Sequence, residues 1–166
     1  MSVNIDWNNL LFRFNPAASM YVAKTDDEGH WQPGQFMPFG DLSISPAAGV
    51  LNYGQGIFEG LKAHRQQNGS IAIFRPQASA KRFAQGAKRL CMAEVSLKDF
   101  TDAMVGLVAL NHEYVPPCGL GSLYLRPCLW GSSSILGVRS SPQTTFVTYA
   151  CPVGNYFGKG EIKPVR

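Results

Sequence analysis

The chain has 166 residues, 45% of them apolar, with a formal net charge of +4. That is enough for one ordinary domain with a real core and too little for two large ones, and it is not a disordered composition. The mild charge, with no aromatic–basic interleaving, argues against a nucleic-acid binder, and no stretch approaches the roughly 20 apolar residues that cross a bilayer.

The opening "MSVNIDWNNLLFRF" carries early Asn and Asp and no long apolar run, unlike a secretory signal, and it is not Arg/Ser-rich like an organelle transit peptide. A cytoplasmic protein is expected. "MYVAK" reads as a strand, "DDEGHWQPGQ" as a polar turn, and "FMPFGDLSIS" as a second extended piece. "SPAAGVLNYGQGIFEGL" is expected to turn into a short helix around Tyr53–Phe58. "KAHRQQNGSIAIFR" has two β-like runs around Asn-Gly and predicts a hairpin.

Two helices follow. "PQASAKRFAQGAKRLCM" opens on Pro76 and sets Phe83, Ala87 and Leu90 at helical spacing. "SLKDFTDAMVGLVALNHEYV" opens on Ser96 with Asp99 three residues on, a capping-box pattern. It is expected to bury Phe100, Met104, Leu107 and Val108 and to run until Pro116-Pro117. "GSLYLRPCLWG" and "QTTFVTYACPV" are strands joined by the loop "SSSILGVRSSP", and "GNYFGKGEIKPVR" reads as a linker. Helices segregated from strands favour an α+β domain with a mainly antiparallel sheet over a doubly wound parallel one.

Four cysteines (Cys91, Cys118, Cys128 and Cys151) form no C-x-x-C pair, and three histidines lie far apart. Buried thiols are expected, and no metal site. The basic pairs 81/82 and 88/89 recur seven residues apart on one helix, which suits either a solvated face or an anion site.

Three stretches bear on chemistry. "GQGIFEG" spaces its glycines G-x-G-x-x-x-G, one residue off the dinucleotide fingerprint, and Lys62 is not in a Walker context. A close backbone approach at a helix entry explains such a loop as well. "SLYLRP" puts Tyr124 and Arg126 on one face of a strand, with Leu123 and Leu125 on the other. That pair suits a carboxylate ligand, or simply an exposed edge or ion pair.

Taken in order, "LNYGQGIFEGLKAHR", "IAIFRPQASAKRF", "GSLYLRPCLWGSS", "ILGV" and "CPVGNYF" resemble the branched-chain amino acid aminotransferases, above all the plant-like ones. These are fold-type IV enzymes that use pyridoxal 5'-phosphate (PLP). The resemblance runs from about Trp7 to Phe157. It implies the small N-terminal domain over residues 1–152 and the start of an interdomain linker over 153–166, with the large catalytic domain absent. It implies that Arg82 holds the cofactor phosphate and that Tyr53, Phe58, Tyr124, Arg126, Val138 and Tyr156 line the substrate pocket. Val138 sits in a loop that reaches the partner subunit of a homodimer.

The implied reaction is amino transfer between leucine, isoleucine or valine and 2-oxoglutarate, with glutamate and 2-oxo acids as the other partners and no nucleic acid or membrane. The family's Schiff-base lysine lies downstream of "CPVGNYF". None of the seven lysines here, including Lys159 and Lys163, is in a matching context. The resemblance therefore implies no catalytic residue in this chain and no activity of it alone. A non-catalytic dimer partner of full-length subunits is the competing expectation. Related fold-type IV enzymes, a D-amino acid aminotransferase or an aminodeoxychorismate lyase, are a third.

Overall fold

A computed structural model describes residues 4–155. Seven strands and three α-helices are built in the order β1 (Ser19–Lys24), β2 (Gln35–Pro38), α1 (Gly49–Tyr53), β3 (Gly56–Phe58), β4 (Leu61–Arg65), β5 (Ile71–Ile73), α2 (Pro76–Arg89), α3 (Leu97–Leu110), β6 (Ser122–Gly131) and β7 (Thr144–Val153). One sheet runs β2-β1-β7-β6-β4-β5, with β3 also paired to β6, and every pairing is antiparallel. The α+β architecture is as expected.

Helices α2 and α3 cover one face. Phe83 and Phe100 from the helices meet Phe146 of β7, with ring centroids 5.3–6.2 Å apart. Leu123, Leu125 and Leu129, alternate residues of β6, are fully buried in the same core. Burying such side chains stabilises the fold by about 1.5–3 kcal/mol each. The opposite face carries a smaller cluster of Met20, Val22 and Val147, with Met37, Trp130 and Tyr149 at its margin. Residues 124, 126, 128 and 130 of β6 lie on this second face, half-buried rather than sealed.

Both long helices start as their sequences dictate. Pro76 occupies the first turn of α2, and Ser96 caps α3 by accepting the Asp99 backbone N–H. The hairpin turns at Asn68-Gly69, where Gly69 has φ +85° and the Asn68 side chain accepts from the Ser70 N–H.

Four expectations need correction. No helix covers Tyr53–Phe58: α1 ends at Tyr53 because Gly54 turns left-handed at φ +66°, and residues 56–58 pair with Cys128–Trp130 as β3. Helix α3 stops at Leu110, well before the prolines. There Asn111, fully buried, donates to the Leu107 carbonyl and binds both the N–H and the carbonyl of Ser19. The extended piece after β1 is regular only over Gln35–Pro38. Of the four thiols, Cys151 is buried and Cys128 half-buried, but Cys91 and Cys118 are exposed. No metal-competent cluster forms among the described residues, and none of their helices is long and apolar enough to cross a membrane.

Candidate functional site

Strands β3 and β4 are one extended run bent at Glu59-Gly60. Both pair with β6, and the Glu59 N–H between them donates to the Pro127 carbonyl at 2.9 Å. The bend places Phe58 and Gly60 against the second face of β6. The Arg126 guanidinium lies 4.4 Å from the centroid of the Phe58 ring. Its Nε and one Nη donate to the Tyr124 hydroxyl at 3.2 and 3.0 Å. Gly60 faces the same hydroxyl: a Cβ there would stand 2.2 Å from it. Phe58 itself is 64% exposed, so this wall is open to solvent.

A cleft of about 420 Å³ opens between the outward face of β4 and the first turns of α2. Lys62, His64, Arg75, Ser79, Arg82 and Tyr124 line it. Four of these side chains are basic. Among the described residues only Arg82 of the four is ion-paired: its Nε and one Nη both donate to the carboxylate of Glu59, which is 7% exposed. Arg75 precedes Pro76 with φ +48°, a left-handed conformation that a non-glycine residue adopts only where the fold imposes it. Burial first and the neighbouring Lys62 second keep the His64 imidazole easier to deprotonate than a free histidine.

The chemistry of this donor set fits a phosphate monoester. Guanidinium, ammonium and hydroxyl side-chain groups converge beside the first turns of a 14-residue helix. The glycine loop does not fit one. Its N–H groups at Gln55, Gly56 and Glu59 are bonded to the carbonyls of Gly49, Gly54 and Pro127.

Tyr53 stands apart from this group. Its hydroxyl accepts the Gly137 N–H at 2.8 Å and so holds the 132–143 loop, where Leu136 and Val138 are each 94% exposed. Tyr156, together with Lys159 and Lys163, lies outside the described residues. The structure thus gathers Phe58, Tyr124 and Arg126 into one cluster, of which Tyr124 also lines the cleft with Arg82, and sets Tyr53 next to the Val138 loop.

Two residues with evident structural weight were not singled out from the sequence. Gln55 is buried, donates to the Leu90 carbonyl and accepts the Ser141 N–H, which ties the glycine loop to α2 and to the 132–143 loop. Glu59 is the other. An acid isolated between Phe58 and Gly60 was the only sign of it, since its partner lies 23 residues away.

The antiparallel sheet backed on one face by two helices is the fold seen in the fold-type IV aminotransferase structures it resembles. In a branched-chain amino acid aminotransferase whose crystal structure was solved with pyridoxamine 5'-phosphate, the same fold recurs with a TM-score of 0.66 and 27% identity, over 86% of this chain and 42% of that one. By sequence the chain resembles the branched-chain aminotransferases. It is 47% identical over 162 residues to chloroplastic branched-chain-amino-acid aminotransferase 5 of Arabidopsis thaliana and 47% identical over 163 residues to mitochondrial branched-chain amino acid aminotransferase 1 of Humulus lupulus. Each match takes in 98% of this chain, which spans 39% and 41% of those relatives' lengths. No protein-family model matches the chain.

Proposed function

We propose that this chain forms the small domain of a PLP-dependent branched-chain amino acid transaminase, with residues 153–166 leading into the interdomain linker. The observation that carries the reading is the meeting of two recognition elements along one cleft: Arg82 and the start of α2 at one side, Tyr124 with its Arg126 partner at the other.

In this reading Arg82, with Lys62, Arg75 and Ser79 around it, holds the cofactor phosphate. PLP would supply the electron sink through which an amino group passes between amino and oxo acids. Phe58 offers an apolar wall to a branched side chain. Arg126 and the Tyr124 hydroxyl offer charge and a hydrogen bond to the side-chain carboxylate of glutamate, so that one pocket accepts both substrates. Tyr53, Val138 and Tyr156 complete the pocket, with Val138 reaching a second subunit of a homodimer. The bare Leu136 and Val138 side chains favour such association. They equally support a second reading, in which this polypeptide pairs with full-length subunits as a non-catalytic partner. In this reading the lysine that bonds the cofactor belongs to a larger domain, so residues 1–166 by themselves would transfer no amino group. Residence in the cytoplasm is proposed with it, although both relatives bear organelle names; imaging a fluorescent fusion of the full gene product decides this.

The test is a chimera in which residues 7–155 replace the matching segment of the Arabidopsis thaliana relative. It is expected to transfer amino groups from leucine to 2-oxoglutarate. Arg82→Ala should weaken PLP binding, and Arg126→Ala should slow the glutamate half-reaction more than the leucine one. A chimera that folds and binds PLP but transfers nothing overturns the reading. For the 166-residue polypeptide, incubation with PLP and borohydride reduction should leave no single stoichiometric lysine adduct. One adduct at one lysine would refute its proposed inactivity.

A further inference from the structure

Among the described residues, Glu59 is the one carboxylate that engages a cation of the cleft, and the proposed function gives it no part. It is 7% exposed, and a carboxylate that far from water requires a partner. Its two oxygens are taken by Arg82, whose side chain is otherwise 69% exposed. Two of the five guanidinium N–H donors are thereby used, and three are left for a ligand.

The neighbours of Glu59 are engaged as well. Phe58 lies under the Arg126 guanidinium, the Glu59 N–H is fixed to Pro127 of β6, and Gly60 makes room for the Tyr124 hydroxyl. Three consecutive residues therefore meet three side chains of the candidate site.

We infer that Glu59 is a positioning residue: its buried carboxylate holds the Arg82 guanidinium at the cleft and ties it to the segment that forms the substrate wall. The inference rests on the reading of Arg82 as the phosphate-binding residue. Two effects of removing the carboxylate oppose one another. Loss of a negative charge favours an incoming phosphate, but solvent screens that gain at a side chain this exposed. Loss of the two-pronged hold frees a long side chain that the phosphate must then order itself. A positioning role requires the second effect to be the larger, and the affinity of Glu59→Gln decides between them.

The experiment titrates the 166-residue protein with pyridoxine 5'-phosphate, which carries the phosphate ester without the lysine-reactive aldehyde. Binding is followed by NMR at the Arg82 Nε–H resonance and the Ser79 amide. In the parent, the Arg82 Nε–H is expected to be protected from exchange even without ligand. Glu59→Gln is expected to lose that protection and bind about tenfold more weakly, and Arg82→Lys, which keeps the charge but not the fork, to weaken by a similar factor. Arg82→Ala should abolish binding.

If Arg82→Ala leaves the affinity unchanged, or the parent takes up no phosphate ester, the phosphate reading fails and this inference with it. If Arg82→Ala abolishes binding while Glu59→Gln binds as the parent does or more tightly, Glu59 is no positioning residue and only this inference is overturned. Should Glu59→Gln not fold, Glu59→Asp keeps the charge and withdraws it by one methylene. It too should bind more weakly, and parental affinity there overturns the inference.

Discussion

Gly60→Ala is the sharpest single test of the site geometry. The backbone at Gly60 is not left-handed, so an alanine there is not strained by φ, and its whole effect comes from contact. The added methyl would stand 2.2 Å from the Tyr124 hydroxyl oxygen and 2.8 Å from the ring carbon that bears it. Relief requires the phenol to retreat by about 1 Å, since packed atoms do not approach within roughly 3 Å. That retreat stretches the hydrogen bonds from Arg126, now 3.2 and 3.0 Å, out of bonding range. The same ring makes an edge-on contact with Phe12, centroids 5.4 Å apart, which a shift of the phenol disturbs. Overpacking of this kind destabilises by about 1–3 kcal/mol.

Urea unfolding followed by tryptophan fluorescence reads the cost, and the Tyr124 ring resonances report the displacement. Gly69→Ala is the contrast: at φ +85° with nothing within 4 Å, it loses about 1–2 kcal/mol through backbone conformation alone and leaves the Tyr124 signals in place. Combining Gly60→Ala with Tyr124→Phe removes the worst contact but not the one at 2.8 Å, so the pair should couple favourably by about 1 kcal/mol. A Gly60→Ala protein with parental stability and unmoved Tyr124 resonances would refute the packing of Tyr124 on the bend, and with it the joint pocket.

Two further outcomes follow from buried groups. Asn111→Ala leaves the part-buried N–H and carbonyl of Ser19 and the buried carbonyl of Leu107 without their side-chain partner. A loss of about 2–4 kcal/mol is expected in calorimetric unfolding, and a loss below about 1 kcal/mol would mean water enters the site. Burial pushes the Cys128 thiol up to about 11, against a smaller opposing pull from Arg126. Because the folded value lies above the unfolded one, the neutral thiol's contribution to stability is complete below about pH 9 and fades as the pH rises toward 11. At pH 8, iodoacetamide followed by peptide mapping should modify exposed Cys91 and Cys118 quickly and Cys128 and Cys151 slowly. Equal rates at all four would contradict the burial of the latter two.

Where the pattern was local, the sequence was readable. The 3.6-residue spacing of Phe83, Ala87 and Leu90, the Ser96–Asp99 cap and the alternation of Leu123, Tyr124, Leu125 and Arg126 each carry their structure within a few residues, and the fold has all of them. Strand β3 was not readable, because Gly56–Phe58 is extended only by virtue of pairing with Cys128–Trp130, far along the chain. The same holds for Asn111, which ends α3 by reaching 92 residues back to Ser19, whereas two prolines nearby offered a more obvious stop. Of the candidate site, the Tyr124–Arg126 face was visible from period two alone. The partnership of Glu59 with Arg82 was not, because a strand bend and a helix must both be placed before the two charges meet.

The glycine loop shows why spacing by itself misleads. A G-x-G run suggests a cradle of free N–H groups, but a cradle needs donors that the fold has not already used. Here the donors at Gln55, Gly56 and Glu59 are all spent on backbone carbonyls. What glycine supplies instead is a left-handed stop at Gly54 and an empty place for the Tyr124 hydroxyl at Gly60. Both serve to turn the chain from α1 into β3 and then past β6, so that Phe58 and Glu59 diverge toward Arg126 and Arg82. The basic groups proposed to take an anion sit beyond two further strands, β4 and β5, at the start of α2. There, among the described residues, Ser79 and three unpaired bases have no carboxylate other than Glu59 to answer them. A loop that looks built to touch a ligand is, on this geometry, the joint that aims Phe58 and Glu59 at the arginines of the candidate site.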